Sequence, residues 1–92
     1  MKKYSLLFSK SFDKDFKKLD HYTRVMLMNW IEKHLEGCNN PRQYGKALSA
    51  NLKGLWRYRI GDYRLICEIQ DSTLVILALA IGHRKDIYEK IQ

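Results

Sequence analysis

Acidic residues, proline, cysteine and long apolar runs are all scarce in this chain, and each scarcity removes a class of answer. Ten Asp and Glu stand against seventeen Lys and Arg, a net charge of +7 over 92 residues. A field of that sign draws nucleic acid, anionic membrane or an acidic protein, and composition alone does not choose among them. The single proline, Pro41, lies in "GCNNPRQYG", the clearest loop, and no linker, repeat or low-complexity segment interrupts the chain elsewhere. Two cysteines make neither a disulfide framework nor a C-x-x-C metal spacing. Cys67 reads as a small core residue and Cys38 as a free loop thiol; His21, His34 and His83 are too scattered to give a catalytic cysteine its base. The longest apolar run, "TLVILALAI" at Thr73 to Ile81, is half of the roughly 18 residues a membrane span needs. The start, "MKKYSLLFSKSF", offers no small-residue cleavage site, so no signal peptide is expected and the expected location is the cytoplasm.

What is present is ordinary core material: 46% hydrophobic residues spread along the whole length. One domain, residues 1–92, is expected, because so short a chain builds a single core. "KYSLLF" alternates Tyr4, Leu6 and Phe8 on one face and predicts a strand. "SKSFDKDFKKLD" sets Phe12, Phe16 and Leu19 at helical spacing behind Ser9 or Ser11 as N-cap. Asp20 can cap a second helix, with Val25, Met28, Ile31 and Leu35 as its stripe, Leu27 and Trp30 widening it, and Gly37 ending it. Met26 and Met28 read as core filling. The second half predicts three strands, Leu55 to Ile60, Tyr63 to Gln70 and Thr73 to Ile81, joined by two-residue "GD" and "DS" turns. A short helix follows in "RKDIYEKIQ". The sum is an α+β fold in which an antiparallel sheet of about four strands packs against an N-terminal helical hairpin, in the order β-α-α-β-β-β, with the other sheet face open.

The stretch "LWRYRIGDYRLICEIQ" carries the functional signal. If Gly61 and Asp62 form the turn, Arg59 pairs with Arg64 and Arg57 with Ile66, and alternation sorts the two faces. Trp56, Tyr58, Ile60, Tyr63, Leu65, Cys67 and Ile69 go under the helices; Arg57, Arg59 and Arg64 share the other side with Ile66 and Glu68. Like charges opposed across a strand pair cost up to about 1 kcal/mol, so the pattern works against the fold and points to an anion. Arginine's planar fork suits phosphate oxygens.

At these residues the chain resembles the RelE/ParE superfamily of toxins from type II toxin-antitoxin pairs, in particular its RelE branch. "WRYRIGDYRL" together with "GHRKDIY" carries the likeness, and "FSKSFDKDFKKLD" and "TRVMLMNWIEKHL" are similar to that family's two helices. The resemblance implies a ribosome-dependent endoribonuclease that cuts mRNA in the A site and inhibits translation. Attack of a 2′-OH on the adjacent phosphate would leave a 2′,3′-cyclic phosphate, which calls for a base, charge stabilisation and a proton donor. By resemblance the catalytic positions are Arg57, Arg59, Arg64, Arg84 and Tyr88, with His83 added as a base, because arginine does not release its proton. Lys46, Lys53 and Lys85 are expected to contact RNA, and no metal or other cofactor is implied. The implied partners are a RelB-like antitoxin, the 70S ribosome and mRNA, with operator DNA bound only through the antitoxin complex and no membrane. Two other functions share this frame: a ParE-like DNA gyrase inhibitor and a non-catalytic RNA-binding module.

Overall fold

The computed structural model describes residues 3–91; the parts of the terminal readings that fall on Met1, Lys2 and Gln92 lie outside them. The elements run β1 (Ser5–Phe8), α1 (Lys10–Lys17), α2 (His21–His34), β2 (Lys46–Ala47), β3 (Trp56–Ile60), β4 (Tyr63–Gln70), β5 (Val75–His83) and α3 (Ile87–Lys90). They form an α+β fold around one five-stranded sheet of order β1-β5-β4-β3-β2. The expected sheet was antiparallel with about four strands. It is mixed instead, because β1 lies parallel to β5, with Ser5 opposite Val75 and Phe8 opposite Ala78. A two-residue strand, β2, adds the fifth. No helix among the described residues is long and apolar enough to cross a membrane.

The caps fall where the sequence placed them. Ser9 accepts from the Phe12 N–H at 3.0 Å and opens α1; Asp20 accepts from the Thr23 N–H at 3.2 Å and opens α2. The Thr23 hydroxyl donates to the same carboxyl, and this bond and the N–H bond hold Asp20 below the usual carboxylate range. Ser9 also donates to the Leu79 carbonyl at 3.3 Å. Leu79 is the extra residue of a β-bulge: Ile66 pairs with Ala80 but Cys67 with Ala78. The bulge switches the alternation along β5, so Ile76, Ala78 and Ile81 all join the helix-side core while Ala80 faces the other way.

That core gathers Phe12, Leu27, Ile31, Leu35, Tyr58, Leu65 and Cys67, all essentially buried. The α2 stripe is therefore Leu27, Ile31 and Leu35, and Val25, expected inside, is 44% exposed. Cys38 is half-buried beside this core, and Met26, Met28 and Trp30 pack against it. The second hairpin turn is longer than expected, four residues from Asp71 to Leu74, with Leu74 in the left-handed region at φ 53°. The sheet's far face is not left open: Ile87 of α3 is fully buried there with Ile66 and Ala80.

Candidate phosphate-binding face

The β3–β4 register is the expected one, with Trp56 opposite Cys67, Arg57 opposite Ile66 and Arg59 opposite Arg64. Tyr58 and Leu65 are buried in the helix-side core, so alternation turns Arg57, Arg59 and Arg64 to the far face. Gly82 lies opposite Arg64 on β5. Arg64 is only 9% exposed. Its Nη1 donates to the Gly61 and Tyr63 carbonyls, 2.9 Å each, and so ties the arginine to its own turn. Burial first, then repulsion from Arg59, Arg57 and Arg84, pushes the Arg64 pKa down, yet it stays charged because guanidinium starts so high.

Arg84 reaches the group from the end of β5. Its backbone N–H donates to the Asp62 carbonyl at 2.7 Å, and its Nε stands 3.8 Å from the Asp62 carboxylate. Tyr88 comes from α3, and its hydroxyl accepts from Arg57 Nη1 at 2.9 Å. The Arg57 Nε is buried and has no hydrogen-bond partner among the described residues. Such an atom is costly to leave unmet and is suited to an incoming oxygen anion.

Lys46 joins the face because β2 lays it opposite Arg57. Gly45 makes that approach possible. It sits at φ 81°, and a Cβ there would stand 2.2 Å from the Arg57 carbonyl oxygen. Lys53 is exposed in the turn between β2 and β3, where its N–H closes a 3-10 turn on Ala50, and Lys85 is exposed just after Arg84. No contact of either side chain brings it to the Arg57–Arg64 group among the described residues.

His83 does not join the arginines. It pairs with Tyr63, whose ring packs against the helix-side core, and the two rings stand 5.7 Å apart. Its Nδ1 accepts from the Lys85 N–H at 3.2 Å. His34 likewise bonds its own helix, with Nδ1 2.9 Å from the Trp30 carbonyl oxygen. Arg42, one of the basic residues of this half, is turned away as well. It grips Asp71 with two bonds of 2.9 and 3.0 Å, and the Tyr4 hydroxyl donates to the same carboxylate.

Sequence reading missed Gly45 as the residue that admits Lys46, and Asp62 as the anchor of Arg84. The signals were present: a Gly-Lys pair before an extended run, and an acid in the turn between two arginine-bearing strands. The Ile66, Ala80 and Ile87 cluster that carries Tyr88 to Arg57 was also missed, because only the far end of the chain completes it.

Comparison with known proteins follows the same lines. Residues 6–88 match the family model described as ParE toxin of type II toxin-antitoxin system, parDE. Toxin RelG of Mycobacterium tuberculosis is 38% identical over 50 residues, 54% of this chain and 58% of that one, so the chain matches little more than half of this curated relative's length. The fold is similar to the toxin-antitoxin complex RelBE2 from Mycobacterium tuberculosis, with TM-score 0.82, 28% identity and coverage of 94% of this chain and 97% of that one. An archaeal RelE-RelB complex from Pyrococcus horikoshii matches at TM-score 0.66 and 25% identity, over 91% of this chain and 97% of the other. The isolated E. coli RelE toxin, at 18% identity and TM-score 0.67 over 97% and 99% of the two chains, shares the fold.

Proposed function

The chain belongs to the ParE toxin family of type II toxin-antitoxin systems, with toxins of the RelE type among its relatives, and from that premise we propose that it is a ribosome-dependent endoribonuclease acting in the cytoplasm. The observation that carries the proposal is the sheet face itself: Arg59 directly opposite Arg64, with Arg57 on the same face holding Tyr88 and with Arg57, Arg59 and Arg84 all acting against the charge of Arg64. A fold that accepts this repulsion gains from it when a phosphate arrives.

In the proposed reaction the 2′-hydroxyl of one nucleotide gives up its proton and its oxygen bonds to the neighbouring phosphorus, the bond from phosphorus to the 5′-oxygen breaks, and the leaving 5′-oxygen takes up a proton, so that no net proton is consumed. The products are a 2′,3′-cyclic phosphate and a 5′-hydroxyl. Charge builds on the non-bridging oxygens on the way, and fixed guanidinium donors meet it without reorganising. Arg64, locked onto its turn carbonyls, is the most rigid of them. Arg57 offers its unmet Nε, and Arg84 is set by the Asp62 carbonyl. Tyr88, oriented by its bond to Arg57, can stack on a codon base. Lys46 extends the positive track beside Arg57, and Lys53 and Lys85 add charge for RNA further out. His83, on the other face, is given no chemical step.

The relatives in complex with their antitoxins support a RelB-like partner for this chain, one whose acidic or amphipathic segment shields the arginines. Operator DNA would be met through that antitoxin. The test is to map mRNA ends in translation extracts. Cuts within the A-site codon, bearing cyclic phosphate and absent with Arg84→Ala, are expected. The parDE description of the matching family favours one other reading, inhibition of DNA gyrase. Purified protein that blocks supercoiling and leaves ribosome-bound mRNA whole would establish that reading in place of ours.

A further inference from the structure

Strand β2 carries Lys46 to the arginine face, yet it is only two residues long, with Lys46 opposite Arg57 and Ala47 opposite Trp56. A further backbone bond runs from the Leu48 N–H to the Leu55 carbonyl at 3.0 Å. A ladder this short is marginal by itself, so the place of Lys46 has to be fixed by something besides strand pairing.

Trp56 supplies that constraint from the other side of the sheet. Its ring packs against the helix-side core, where β3 sets it opposite Cys67. Its indole Nε1 donates to the Tyr44 carbonyl at 2.7 Å, two residues before Lys46. Gly45 lies between the two, and a Cβ there would stand 2.8 Å from that same Nε1. The chain therefore reaches Lys46 in direct contact with the indole. The ring is held in its turn: the Arg42 guanidinium lies 5.9 Å from its centroid, and two bonds to Asp71 tie Arg42 down. Tyr44 is also hemmed in, its ring edge-on to Trp30 at 5.9 Å and to His34 at 5.0 Å. An indole has one donor and no acceptor, so loss of its N–H leaves nothing in the ring to bind the Tyr44 carbonyl.

We propose that Trp56 is a positioning residue for RNA: through the Tyr44 carbonyl and Gly45 it holds Lys46 beside Arg57, so that ammonium and guanidinium engage the phosphate backbone together. The indole, on the opposite face of the sheet, acts through the lysine. This inference rests on the RNA-binding part of the function proposed above and is independent of the cleavage step.

The test is a double-mutant cycle in RNA affinity with Trp56→Phe, Lys46→Ala and the pair. Phenylalanine keeps an aromatic ring under Arg42 and lacks the N–H. The probe is a fluorescent single strand of about 12 nucleotides carrying 2′-O-methyl groups throughout, so it has no free 2′-hydroxyl and is not cut. Kd is measured at several salt concentrations, and thermal unfolding confirms that each variant is folded. If Trp56→Phe does not fold, the 92-residue chain is made by chemical synthesis with benzothienylalanine at position 56, which has the shape of tryptophan with sulfur in place of N–H. The proposal expects each single change to weaken binding about threefold or more and to lower the salt slope by about 0.7, the share of one phosphate contact on a single strand. The double variant should bind within about twofold of Lys46→Ala alone. Wild-type affinity and slope without the indole N–H would overturn the proposal, and so would an equal further loss in the Lys46→Ala background. If Lys46→Ala itself changes nothing, Lys46 has no RNA contact to be positioned for, and the proposal fails with that part of the RNA reading. A coupled cycle in a protein that never cuts mRNA would sink the nuclease reading alone; an additive cycle in a protein that does cut would sink this inference alone.

Discussion

Arg57 donates from Nη1 to the Tyr88 hydroxyl at 2.9 Å, and this bond joins the central hairpin to the last helix across the far face of the sheet. Two residues that the sequence separates by 31 positions thereby act as one unit, an arginine aimed by a phenol. Tyr88→Phe removes the acceptor and keeps the ring, which still packs beside Ile66 and Ile87. The expected result is a stability loss of only about 1 kcal/mol by denaturant unfolding, together with at least a tenfold drop in cleavage. An unchanged rate would show that the bond has no part in the chemistry.

Arg59 faces Arg64 directly. Replacing it by a β-branched neutral residue removes the repulsion and suits a strand, so Arg59→Thr should stabilise the fold by up to about 1 kcal/mol. The same change should weaken RNA binding and flatten its dependence on salt, because one fewer phosphate partner releases fewer counterions. Thermal unfolding and an RNA titration at several salt concentrations measure the two effects on one sample. A variant that is less stable and binds RNA equally well would contradict this reading of the pair.

Asp20 supplies a pH dependence. Its carboxyl titrates below the ordinary range in the folded chain because Thr23 donates to it from both backbone and side chain. A depressed carboxylate contributes stability above its unfolded pKa and loses that contribution as pH falls through its folded one. The wild type should therefore lose stability below about pH 4, the ordinary carboxylate region, more steeply than Asp20→Asn. Unfolding midpoints from pH 6 to pH 2.5 compare the two, and parallel curves would mean that the cap does not titrate as described.

The hairpin was legible in the sequence because its signals are local. A Gly-Asp turn fixes the register, the register fixes the alternation, and the cost of burying charge decides which side the arginines take. Helix starts were legible at Ser9 and Asp20 for the same reason. The parallel pairing of β1 with β5 was not, since it joins segments far apart in the chain and has no turn to announce it. Val25 was misplaced because periodicity gives a stripe and not its centre; Leu27, rather than Val25, marks the buried direction of α2. His83 sits beside Arg84 in sequence, but His83 ends β5 while Arg84 stands in the turn after it, and only the pairing with Tyr63 shows which face His83 takes. The family resemblance, carried by "WRYRIGDYRL" and "GHRKDIY", agrees with the fold and with the match over residues 6–88.

The central claim is that charge held on the arginine face, and not a histidine, carries the reaction. Single-turnover cleavage of an A-site codon on programmed 70S ribosomes by wild type, Arg64→Ala and His83→Ala tests it most directly. The account predicts that Arg64→Ala is slower by about 100-fold or more while His83→Ala stays within about threefold of wild type. A His83→Ala protein that is inactive beside an Arg64→Ala protein that still cuts would contradict it.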